Sequence, residues 1–155
     1  MKDSEIEDEF QEIRSHLQKL SEQFDQLSTD TIDKVSIQNR VLKDCLAEQP
    51  ELHINWEAQY TSFYNLERRS RMIVDVVYAK AYNKELSNSY KSLTATEAKN
   101  LALSNADYIR TKRLHNDCLA AKDDCEVILN TVRSRQFTLK DITNAVVAGV
   151  ESHII

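Results

Sequence analysis

The sequence predicts an all-α protein built of long helices with heptad-like apolar seams, and three observations lead there. The 155-residue chain has a single glycine, Gly149, and a single proline, Pro50. Tight turns draw on those two residues for positive φ and for fixed kinks. Charged residues make up 29% of the chain and aromatic residues 7%. That composition suits helices burying narrow stripes against one another better than one thick core. Apolar residues also recur at helical spacing over long stretches.

The first element carries the clearest seam. Ile6, Phe10, Ile13, Leu17, Leu20, Phe24 and Leu27 alternate in steps of four and three, which keeps every one on the same side of a helix. Such a helix either partners another in a coiled coil, self or foreign, or lies on its own domain. Ser28-Thr29-Asp30 is expected to break the run. A second helix is expected from Thr31 to Ala47, with Ile32, Val35, Leu42 and Cys45 inward. Pro50 ends it, because the residue before a proline avoids the α region. Leu52 to about Asn88 reads as one long helix with Trp56, Tyr60, Phe63, Leu66, Val74 and Val77 on a broad face.

A loop follows through Ser87-Asn88-Ser89 and Ser92-Leu93-Thr94. Thr94-Ala95-Thr96-Glu97 is a capping box that opens the next helix. That helix is expected to run to about Arg133 and to carry a second seam of Leu114, Cys118, Ala121, Cys125, Ile128 and Val132. Thr138 is the expected N-cap of a short last helix, with Asp141 near its positive end and Ile142, Val146 and Val147 along it. Gly149 stands where a helix C-terminus favours glycine. The expected organisation is an acidic N-terminal helical arm, residues 1–48, followed by a helical core, residues 49–155.

Charge and motif content narrow the function. Residues 1–50 hold 12 acidic and 6 basic side chains; residues 51–155 hold 13 and 14. An anionic ligand therefore belongs on the second part. No apolar run approaches the roughly 20 residues needed to span a bilayer. No apolar segment follows Met1-Lys2-Asp3-Ser4-Glu5, so a cytoplasmic protein with no membrane contact is expected. Cys45, Cys118 and Cys125 are odd in number and lack framework spacing, which makes them small buried hydrophobes in a reducing compartment. His115 and Cys118 share a helix face, but two ligands do not make a metal site. There is no Gly-rich phosphate loop, nucleophile elbow or His-Glu-x-x-His pair. The chain is not expected to be an enzyme or to hold a cofactor or metal.

One stretch has the makings of a binding surface: Arg68, Arg69 and Arg71, then Tyr78, Lys80, Tyr82, Lys84, Tyr90 and Lys91. At 100° per residue, Arg69, Lys80, Lys84 and, if the helix continues, Lys91 fall within about 60° of one another. Tyr78 and Tyr82 fall on nearly the opposite side. A positive track with aromatic stacking holds single strands without reading their sequence. The same residues also suit a plain solvated face.

Two segments carry a resemblance. Gln49-Pro50-Glu51-Leu52-His53-Ile54-Asn55-Trp56 leads into the Tyr-rich basic helix. The C-terminal block holds Ala102-Leu103-Ser104-Asn105-Ala106-Asp107 and then Glu126-Val127-Ile128-Leu129-Asn130-Thr131-Val132-Arg133-Ser134-Arg135-Gln136-Phe137-Thr138-Leu139-Lys140-Asp141-Ile142. Over roughly residues 49–150 the chain resembles the UvsY family, the recombination mediators of T-even-like phages. The resemblance implies a non-enzymatic, ring-shaped homo-oligomer of the hexamer or heptamer class that binds single-stranded DNA. Its implied partners are a RecA-like recombinase and the single-strand-binding protein that the recombinase must displace. It implies DNA contacts centred on a pair of positions of which Lys80 fits one and Tyr82, or Tyr78, falls at the other; with the residues read above, Arg68, Arg69, Arg71, Lys80, Lys84 and Lys91 are the expected backbone contacts and Tyr82 the expected stacking residue. Assembly would engage Leu114, Cys118, Ala121, Cys125, Ile128, Val132, Phe137, Ile142 and Val146, the seam serving between subunits or within one. The chain departs from the family in lacking the glycine turn after the basic helix, where Ser87-Asn88-Ser89 stands, and in its acidic arm. The alternative is a coiled-coil adaptor that binds only protein through the Ile6–Leu27 seam.

Overall fold

The structure, a computed structural model, describes residues 1–87 and 93–149. Among these residues the chain forms four helices and no strand: α1 (Asp3–Val35), α2 (Leu42–Ser87), α3 (Ala95–Leu103) and α4 (Ala106–Val147). The all-α expectation holds. The chain divides into two compact units, one of Met1–Lys19 with Phe63–Ala121, the other of Leu20–Ser62 with the chain from Lys122 onward. These units cut across a division at residue 48, because α1, α2 and α4 each give a segment to both.

In the first unit, Phe10 and Ile13 of α1 are buried with Phe63, Leu66, Ile73, Val74, Val77 and Ala81 of α2. Ala98 and Ala102 of α3 and Leu114 and Cys118 of α4 complete that core. The Thr94 capping box is formed: its hydroxyl accepts from the Glu97 amide, and the Glu97 carboxylate accepts from the Thr94 amide at 2.8 Å. One break was not expected. Helix α3 stops at Leu103, and the Asn105 side-chain oxygen accepts from the amides of Asp107 and Tyr108 at 2.9 and 3.2 Å, starting α4.

In the second unit, Leu20, Cys45, Leu52, Trp56, Cys125, Leu129, Val132 and Leu139 are buried. Trp56 is wholly buried, edge-on to Phe24 at 5.5 Å, and its indole N–H donates to the Thr31 hydroxyl at 3.0 Å. The first correction lies beside it. Ser28-Thr29-Asp30 does not break α1, because Thr29 and Thr31 return their hydroxyls to the Asp25 and Leu27 carbonyls at 3.0 and 2.6 Å. Polar residues thus stay helical by bonding the preceding turn. Ile32, expected inward, is 72% exposed. The turn comes later, at residues 36–41, where Asn39 takes φ 58°. Arg40 ties this turn to both helices, donating to the Lys34 carbonyl at 3.1 Å and to Glu48 at 2.5 Å.

Pro50 gives the second correction: it lies inside α2 rather than ending a helix. Proline withholds the amide that the Leu46 carbonyl needs and crowds that turn. One residue earlier, the Cys45 carbonyl accepts instead from buried Arg135 at 3.1 Å, and Arg135 also donates to Gln49 at 2.5 Å. Gln49 in turn donates to the Val132 carbonyl at 2.9 Å. The polar bracing comes from α4, far away in sequence. Thr138 is likewise no N-cap: α4 runs through it, and its hydroxyl bonds the Ser134 carbonyl at 3.2 Å. The helix ends near Gly149 as expected, with Gly149 at φ 84°.

Both seams are filled from within. Phe10, Ile13 and Leu20 are buried and Ile6, Leu17, Phe24 and Leu27 half-buried in the chain itself. In the second seam Leu114, Cys118, Cys125 and Val132 are buried and Ala121 and Ile128 half-buried. Of the two roles open to that seam, the packing present is intramolecular. Phe137 is 68% exposed, with Ile142 and Val146 half-buried. All three cysteines are free and buried.

Candidate nucleic-acid interface

The first unit concentrates the positive charge of the chain. Residues 63–121 hold ten basic side chains against six acidic ones, while residues 1–19 hold three against six. Helix α2 positions most of the expected contacts. Arg69, Lys80 and Lys84 share one side, whereas Arg68 and Arg71 turn about 100° and 160° away from Arg69 on the helix circumference. The basic residues thus form a stripe plus two outliers. Arg68 is exposed, and Arg71 is exposed with its guanidinium 3.6 Å from Glu67 one turn earlier. Lys91 lies outside the described residues.

The stripe meets acidic side chains of α1. Lys80 donates to Asp3 at 2.8 Å. Arg69 reaches two carboxylates, Glu9 and Glu12, both at 2.8 Å. A third cation from α4 joins them: Arg110 grips both oxygens of Glu7 at 2.8 Å, and its guanidinium lies 3.9 Å above the Phe10 ring. The Arg110 pair, helped by Gln11, pulls the Glu7 carboxyl down to about 2. Lys80 lowers that of Asp3 by hydrogen bond and charge, and Glu9 and Glu12 raise that of Arg69. Lys80, Lys84 and Arg110, with Asp3, Glu7 and Asp107, ring a cleft of about 480 Å³ whose apolar lining is Ile6, Phe10, Val77 and Ala81.

Sequence reasoning missed Arg110. It stands four residues before Leu114, so it flanks the second seam, and Lys112 and Arg113 follow it. A cation at the edge of an apolar stripe is the signal that places it beside the arm. Tyr82 is half-buried and stacks on Tyr78 with centroids 6.2 Å apart, while Tyr78 meets Tyr108 at 5.7 Å. These rings form a wall of the first unit.

A second polar cluster lies inside the same unit. Ser70 donates to the Glu67 carbonyl at 2.7 Å and sits 3.1 Å from His115 Nδ1, with Glu67 Oε1 3.9 Å from His115 Nε2. All three residues are buried. Burial lowers the His115 pKa, and it pushes the nearby Cys118 thiol up to about 11. A neutral imidazole and a protonated thiol, both shut from solvent, are a packed polar core rather than an activated nucleophile. Among the described residues no group of three or more His, Cys, Asp or Glu is placed to hold a metal ion, and no helix is long and apolar enough to cross a membrane. No family model matches the chain, and no curated protein or solved structure is significantly similar to it.

Proposed function

We propose that the chain is a non-enzymatic, single-stranded-DNA-binding recombination mediator. In this reading it loads a RecA-like recombinase onto single-stranded DNA covered by single-strand-binding protein, acting in the cytoplasm as a ring-shaped homo-oligomer. The observation that carries the reading is the cation set of the first unit: Arg69, Lys80 and Lys84 along one side of α2, with Lys80 and Lys84 meeting Arg110 of α4 at one cleft. A track of cations without a base-reading element suits sequence-independent backbone binding. Arg68 and Arg71 lie off the track and add to the field around it. Tyr82 is spent on Tyr78, so the cations carry the binding. Repetition around a ring multiplies a modest site by avidity, which reconciles DNA binding with a net charge of −5. Phe137, exposed within the segment that resembles the mediator family, is the aromatic side chain that such an assembly would cover. A protein-only adaptor working through the Ile6–Leu27 seam is the weaker reading, since that seam is already occupied within the chain.

The test is fluorescence anisotropy with labelled single-stranded and duplex oligonucleotides at roughly 50 and 200 mM salt, with light-scattering mass on the same sample. A salt-sensitive preference of a multi-subunit species for the single strand is expected. Lys80→Ala with Lys84→Ala weakens binding equally for all sequences and flattens the salt slope. Unchanged affinity in the double variant overturns the site assignment.

A further inference from the structure

We infer that the acids flanking the apolar seam of α1 are internal occupants of the basic track: Asp3, Glu7, Glu9 and Glu12 stand where the phosphates of a nucleic-acid strand bind, and the strand enters by displacing them. The inference rests on the nucleic-acid reading above and adds a closed state to it.

Pairing is the first argument. At 100° per residue Asp3 and Glu7 lie about 40° apart and Glu9 and Glu12 about 60° apart, one pair on each flank of the Phe10–Ile13 seam. Each of the four meets a cation, and the three cations come from two other helices, α2 and α4. Asp3, Glu7, Glu9 and Glu12 thus occupy, from both flanks of the seam, the cations that the sequence marks for phosphates.

Ease of exchange is the second argument. The Asp3 side chain is 96% exposed and that of Glu12 63%, and exposed ion pairs contribute little individually. A carboxylate leaving such a cation is replaced by a phosphate at little net cost, so the strand prevails when it brings several phosphates at once. The helix itself is held elsewhere, by Phe10 and Ile13, which are 5% and 0% exposed. Release therefore concerns the first turns and their side chains, not the fold. Lys84, exposed at the same cleft, is the landing point. Asp3–Lys80, with the most exposed carboxylate of the four, gives way first. Glu7–Arg110, bidentate and backed by the Phe10 ring, gives way last.

The experiment neutralises these acids without touching the apolar anchors: D3N/E7Q/E9Q/E12Q in the full chain. A control, D25N/D33N/E51Q/D124N, makes the same change in net charge at exposed acids of the second unit. With an oligothymidylate probe at about 50 mM salt, the first variant is expected to bind about tenfold tighter than the natural chain and the control within about threefold of it. The salt slope separates displacement from net charge. In both chains the phosphates release their condensed cations, but in the natural chain the displaced carboxylates take cations up, so its slope is expected to be shallower than that of the first variant. Equal affinity and equal slope for natural chain and variant, both binding the probe, overturn the internal occupant and leave the nucleic-acid reading standing. No binding by any of the three overturns both.

Hydrogen exchange on the natural chain is the second measurement, valid even if the quadruple variant folds poorly. Saturating probe is expected to raise exchange in peptides covering residues 1–13. Increased protection there overturns the inference.

Discussion

His115 shows how one buried side chain ties stability to pH. Its ring is 5% exposed, faces Ser70 and Glu67, and has Lys112, Arg71 and Asp75 nearby. Burial, reinforced by Lys112, holds its pKa below the ordinary 6.5 despite the opposing pull of Glu67. In the unfolded chain the same imidazole takes up its proton near 6.5. Between that value and the lower folded one, only the unfolded state binds the proton, so acidification favours unfolding. The contribution of neutral His115 is therefore full above about pH 6.5 and falls as the pH drops below it. His115→Asn keeps a polar atom towards Ser70 and removes the titration. Its melting temperature, followed from neutral pH to about 5, is expected to fall less than that of the natural chain. Parallel curves would mean that His115 titrates alike in both states. The buried thiols take no part: burial pushes Cys118 to about 11 and Cys125 to about 12, so both stay protonated throughout this range.

At the scale of the elements, the turn between α1 and α2 offers the cleanest test. Asn39 sits at φ 58°, a left-handed conformation that costs an ordinary L residue roughly 1–2 kcal/mol and that asparagine and glycine accept. Asn39→Ala is expected to lose about 1 kcal/mol in urea unfolding and Asn39→Gly to stay close to the natural chain. Equal losses would place the strain elsewhere. This turn also illustrates what could be read in advance and what could not. The Thr94 box and Gly149 mark helix ends by local chemistry, which the sequence displays directly. Pro50 and Thr138 are also local end signals, yet both lie inside helices. At Pro50 the bracing group is the Arg135 guanidinium, 90 residues from the Cys45 carbonyl it serves. At residues 28–31 the Thr29 and Thr31 hydroxyls bond the turn before, and Trp56, 25 residues from Thr31, adds its indole N–H. Such end signals fail where side-chain bonds to the backbone and tertiary packing carry the helix through them. They also missed the Ser104-Asn105 break, because an asparagine cap is no more conspicuous than any other asparagine.

Across the whole molecule, the separation of charge was legible and its cancellation was not. Composition places the acids in the arm and the bases beyond residue 50, and helical phase groups Arg69, Lys80 and Lys84. That Asp3, Glu7, Glu9 and Glu12 lie on those cations, with Arg110 added, depends on contacts 57 to 103 residues apart. No local pattern encodes that register. The same contacts change what removing the arm does. As an independent appendage, residues 1–28 would come away and leave a folded, more basic core. But the segment carries Phe10, Ile13 and Leu20, at 5%, 0% and 5% exposure, the first two in one compact unit and the third in the other. Emptying a buried Phe, Ile or Leu position costs about 2–5 kcal/mol each, and three such losses meet a total stability of about 5–15 kcal/mol. The truncated chain is therefore expected to lose its cooperative thermal transition by circular dichroism, while the neutralised full-length variant keeps it. A truncated chain that melts as sharply as the whole would make the arm accessory to the fold, with Phe10, Ile13 and Leu20 contributing little to either core.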